Sequence, residues 1–85
     1  RDADLGTTAR ATARGDGSFE LVVASQRFAH AVAIDVPGFA PDDAYFHVRP
    51  GGERTTVLRP VGKQTAPRGV VYPVNAASAT NIAVG

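Results

Sequence analysis

Turn signals recur along this chain at intervals of roughly ten residues: Gly15-Asp16-Gly17, Pro37-Gly38, Pro50-Gly51-Gly52, and a stretch from Gly62 to Gly69 that holds Pro67. Segments this short suit strands, and the residues between the turns agree. In "FELVV", Phe19, Leu21 and Val23 share one face and Glu20 lies on the other. "HAVAIDV" repeats the device, with Val32, Ile34 and Val36 set against Ala31, Ala33 and Asp35. Its alanines would suit a helix, but β-branched residues at alternate positions, closed by Pro37-Gly38, favour a strand. "YFHVR" puts Phe46 and Val48 inward, or Tyr45 in the opposite parity; "RTTVLR", "GVVYPV" and "TNIAVG" follow. "TTARATA", from Thr7 to Ala13, reads as a weaker edge strand. Pro73 demotes "VVYPV" to an edge strand or a bulge, because proline has no N–H for the ladder. No segment carries a 3.6-residue apolar period. The expected fold is all-β: an immunoglobulin-like antiparallel β-sandwich of about six or seven strands, residues 1–85 forming one domain. "KQTAPRG" is expected to be a surface loop.

A chain of 85 residues buries only about two-thirds of the surface it exposes when unfolded. It contains no cysteine, so neither disulfides nor thiolate metal sites can brace it. The core must be aliphatic, or the domain leans on a neighbour. Nine basic and eight acidic residues give a net charge of +1 and are interspersed. Arg27, Arg49, Arg54, Arg59, Lys63 and Arg68 are scattered, with no aromatic-interleaved stripe, which argues against nucleic acid and anionic membranes as partners. No apolar run approaches the ~20 residues of a membrane span, and no signal peptide is visible. The chain opens on Arg1-Asp2-Ala3-Asp4 instead of Met, so a piece of a longer protein is expected, with any targeting signal upstream.

The segment "APDDAYFHVRPGG", Ala40 to Gly52, has the densest chemistry. Asp42 and Asp43 are neighbours, whereas a paired acid and base must flank a bond about 5–10 Å apart, usually from different elements. They read as an Asx turn or a solvated loop. His30 and His47 are the two histidines, without HxH or HExxH spacing, and a metal site would need both plus a carboxylate. His47 should face outward between Phe46 and Val48, while His30 shares the parity of Val32 at the start of its strand. Ser18, Ser25 and Ser78 lack a nucleophile elbow. Catalytic, cofactor-binding and metal-binding residues are therefore expected to be absent, and the chain is not an enzyme by itself. Arg14-Gly15-Asp16 matches an adhesion tripeptide, but "RGDG" lies between two strand patterns and reads as a hairpin corner. The phenylalanines at alternating positions read as core; Tyr45 and Tyr72 make a thin sugar platform without a tryptophan.

From Val22 to Pro60 the chain resembles the carboxy-terminal Ig-like domain of β-mannosidases of glycoside hydrolase family 2. The family has an "L-x-S" strand, a "V-x-L-D" segment, and a loop leading into "DNYFDLLPGE-x-R-T-V". The counterparts here are Ala24-Ser25, Val32-Ala33-Ile34-Asp35, and Asp43-Ala44-Tyr45-Phe46-His47-Val48-Arg49-Pro50-Gly51 followed by Arg54-Thr55. "VVYPVNAASATNIAV" is similar to the closing strand. Ala44 replaces an Asn, His47 an Asp and Arg49 an apolar residue; exo-glucosaminidases of the same family carry a comparable stretch. The resemblance implies a parent enzyme that hydrolyses terminal β-mannosides with retention, using two glutamates on a (β/α)8 barrel. No residue here matches those motifs, and Glu20 and Glu53 sit in strand or turn context. The implied role is a non-catalytic accessory domain that packs on the barrel or on neighbouring β domains, with mannoside or mannan bound weakly if at all. The alternatives are a carbohydrate-binding module and a structural Ig-like module of a bacterial surface protein.

Overall fold

A computed structural model of the chain describes residues 6–42, 46–62, 66–75 and 79–84. The described residues form eight strands and no helix: β1 Thr8–Ala13, β2 Phe19–Ser25, β3 Ala29–Asp35, β4 Phe39–Pro41, β5 Phe46–Val48, β6 Gly52–Pro60, β7 Val70–Tyr72 and β8 Thr80–Val84. They make one curled sheet in the order β4-β6-β2-β1-β8-β7-β3-β5. All pairs are antiparallel except β1 with β8, which run parallel, so the sheet is mixed and not purely antiparallel as expected. β8 spans the two flanks: Thr80 and Asn81 pair with β7, and Ile82 to Val84 pair with β1. The far edge strand β5 curls back against β2 and β6.

Period-2 alternation does most of the local work. Phe19, Leu21 and Val23 are buried, as are Phe46 and Val48, while His47 points outward. Leu21, Val23 and Leu58 from one flank share a single core cluster with Val32, Val48 and Val71 from the other. Phe19 and Phe39 meet edge-to-face within it, with ring centroids 5.7 Å apart.

The two Pro-Gly signals become type II turns. Phe39 N–H bonds Val36 O at 3.1 Å around Pro37 and Gly38 (φ 86°), and Gly52 N–H bonds Arg49 O at 2.8 Å around Pro50 and Gly51 (φ 71°). Neither closes a hairpin. Type II turns splay the strands they join, and here they carry the chain from β3 to β4 and from β5 to β6, from one flank of the sheet to the other. The β1–β2 connection is a true hairpin. Its tip holds Gly15 and Gly17 at φ 92° and 91°, and the Asp16 carboxylate accepts from the Ser18 N–H (2.9 Å) and hydroxyl. Those bonds, the hydroxyl's first, hold the Asp16 carboxyl below its ordinary range.

Several expectations change. β1 is interior, between β2 and β8, and its inward residues Ala9 and Ala11 are buried. β7 is interior too; Pro73 ends it after Tyr72, and bonding to β3 resumes with Val74 N–H donating to His30 O at 2.9 Å. The three-residue strand β4 escaped the alternation pattern altogether. The actual edges, β4 and β5, have three residues each and β4 ends on Pro41, which limits their use as pairing templates. Within "KQTAPRG", residues 63–65 lie outside the described residues, and Pro67 is fully buried instead of lying on a surface loop.

Candidate functional site

The side chains singled out in the sequence divide sharply. The Arg59 guanidinium grips the Asp42 carboxylate, with Nε–Oδ1 at 2.8 Å and Nη2–Oδ2 at 3.0 Å. That bond, more than the charge itself, holds the Asp42 carboxyl below its usual range. Asp43, Tyr45, Lys63 and Ser78 lie outside the described residues. Ser18 is bound to Asp16, and the Ser25 hydroxyl lies 3.3 Å from that of Thr7. Among the described residues no three His, Asp or Glu side chains form a metal-binding group.

The two histidines come together. Alternation would have turned His30 toward the core with Val32, but a bulge in β3 intervenes. Ala29 pairs with Val48 and Val32 with Phe46, so β3 carries one extra residue, and Ala31 takes φ 47°. Ala29 and Val32 are both buried in consequence, and His30 turns outward. There its ring stacks on that of His47, with centroids 4.6 Å apart and planes at 19°. Phe28, expected in the core, is 42% exposed; its ring stacks on that of His47 at 5.6 Å and lies 5.9 Å from that of His30.

Backbone bonds fix this trio from both edges. Ala31 N–H donates to His47 Nδ1 at 3.0 Å, which places the ring proton of neutral His47 on Nε2. On the opposite edge the Asn75 amide stands in for a strand: its Oδ1 accepts from His30 N–H and its Nδ2 donates to Phe28 O, each at 2.9 Å. Asn75 therefore continues the ladder that Pro73 interrupts. Sequence reasoning missed Phe28, Ala31 and Asn75, and no local signal pointed to them. His30 and His47 meet only because β3 pairs with β5, and Asn75 is 45 residues from His30.

Beside the rings lies an open cleft of about 490 Å³, lined by Phe28, His47, Arg49, Gly52, Glu53 and Arg54. Arg54 also sits over the Phe46 ring, 5.2 Å from its centroid. A second depression of about 280 Å³, with Thr8 and Gln26 on its walls, shares Gly52 and Glu53 with the first. Exposed rings, guanidinium donors and one carboxylate acceptor thus line or border the cleft; no activated nucleophile stands near them among the described residues. No protein-family model, no curated protein and no solved structure matches this chain.

Proposed function

We propose that the chain is an Ig-like β-sandwich and serves as a non-catalytic accessory domain of a β-mannosidase-like enzyme of glycoside hydrolase family 2. The strand order carries the reading. The runs β4-β6-β2-β1 and β8-β7-β3-β5 enclose one core, and a parallel pair between the first and last strands joins them, as in Ig-like sandwiches whose first strand pairs with the last. The resemblance over Val22–Pro60 supports the family. Its diagnostic run enters β5, passes through the type II turn at Pro50-Gly51 and continues into β6, so Phe46, Val48 and the Pro50-Gly51 turn within it serve packing and chain reversal.

In this reading the domain packs on the catalytic barrel or on neighbouring β domains and stabilises the whole enzyme. The test uses the parent polypeptide. A (β/α)8 pattern with two placed glutamates should lie upstream, the 85-residue chain should not hydrolyse an aryl β-mannoside, and deleting it should shorten the parent's half-life on heating. An upstream sequence without a barrel would overturn the assignment.

A further inference from the structure

We propose that the ring cluster and the two adjacent depressions, which share Gly52 and Glu53, bind an acidic saccharide chain, one that carries uronate carboxylates. The site stands on this chain's own residues, whichever catalytic unit accompanies it. The clustered, exposed rings of Phe28, His30 and His47 offer an apolar surface for one face of a pyranose. A pyranose laid on that surface directs its equatorial substituents outward toward the rim. There Arg49 and Arg54 supply fork-shaped donors suited to a carboxylate, and Glu53 accepts from hydroxyls. Arg49, Glu53 and Arg54 form no ion pair among the described residues, so their charges are available to a ligand.

Length and charge narrow the class. The first depression falls in the ~300–1,000 Å³ range of small-molecule sites, and the second, which shares Gly52 and Glu53 with it and is lined also by Thr8 and Gln26, provides polar contacts for a second sugar unit. Two guanidinium groups against one carboxylate make the cleft cationic, which favours uronates over neutral hexoses. A nucleic acid would also use rings and arginines. However, the exposed Glu53 lines both depressions, where it would repel a phosphate backbone and still accept from sugar hydroxyls.

The test is an amide-shift titration of the 15N-labelled chain with tetragalacturonate, mannotetraose, an oligothymidylate and inorganic phosphate in parallel. Tetragalacturonate should move the amides of Phe28, His47, Arg49, Gly52, Glu53 and Arg54 saturably, with an apparent Kd of about 0.1–1 mM. Exposed charge pairs are individually weak, so Arg49→Ala and Arg54→Ala should each weaken binding about 2- to 5-fold, and the double variant about tenfold. Raising salt from ~0.02 to ~0.5 M should weaken it about fivefold or more. Phe28→Ser should abolish the ring-face shifts. These residues are exposed, so an unchanged amide dispersion and melting temperature will show that each variant is folded. Several results would overturn the proposal: no shift at these amides, equal binding of mannotetraose, tighter binding of the oligothymidylate, the same shifts from phosphate alone, or an arginine double variant that binds like the original chain.

Discussion

Alanine to glycine inside a strand is normally destabilising by about 0.5–1 kcal/mol, because glycine loses more freedom on folding. At Ala31 the sign should reverse. This residue holds φ 47°, a left-handed conformation that costs an L-residue with a Cβ about 1–2 kcal/mol. Removing the Cβ relieves that cost, while the extra freedom of glycine in the unfolded chain takes back about 0.4–1 kcal/mol. The net expectation for Ala31→Gly is a gain of about 0.5–1 kcal/mol, which in a domain of this size raises Tm by about 2–8 °C. Ala33→Gly is the control: it lies two residues on in β3, opposite Tyr72, without a positive φ. It should lose about 0.5–1 kcal/mol. Urea unfolding of both variants, with the slope checked for constancy, measures the difference. If Ala31→Gly destabilises as much as Ala33→Gly, the left-handed bulge is not the folded conformation, and the outward placement of His30 falls with it.

Three other outcomes can be checked alongside. Leu21 is fully buried in the shared core, so Leu21→Ala should cost about 3–4 kcal/mol by urea unfolding; a loss under ~1 kcal/mol would deny that the flanks enclose one core. A Cβ on Gly69 would drive into the Asp35 carbonyl and lie 2.9 Å from Val36 Cα, so Gly69→Ala should lose about 1–3 kcal/mol, and a neutral result would refute the close approach of that loop to β3. Arg59 depresses the Asp42 pKa below 3.8, so its contribution to stability is present above about pH 4 and is lost as pH falls through the lower folded value. Carbon-detected titration should place Asp42 below its ordinary value in the original chain and return it there in Arg59→Gln; an unshifted Asp42 would exclude the bidentate pair in solution.

The parts of the fold that were legible in the sequence are those decided within a few residues. Burial at Phe19, Leu21 and Val23 follows from alternation, as does the outward His47 between Phe46 and Val48. Pro-Gly at 37–38 and 50–51 sets the torsions of both type II turns by proline's fixed φ and glycine's tolerance of a positive one. Basic residues are scattered along the chain, which speaks against nucleic-acid partners. That scatter did not show that Arg49 and Arg54 line one cleft beside Phe28 and His47.

By itself, then, the sequence determined that this chain is all-β, where its Pro-Gly turns fall, and which face of β2 goes inward, because each of these rests on local stereochemistry and side-chain period; for β5 it left two parities open. Only the tertiary structure decided which strands are edges, that β1 runs parallel to β8, that β3 bulges at Ala31, and that Asn75 stands in for a strand beside Phe28 and His30. Backbone donors and acceptors are alike at every residue, so pairing partners distant in the chain are selected by the packing of the whole core. One extra residue in β3 then reverses the facing of the residues before it, and that brings His30 onto His47 and creates the candidate site.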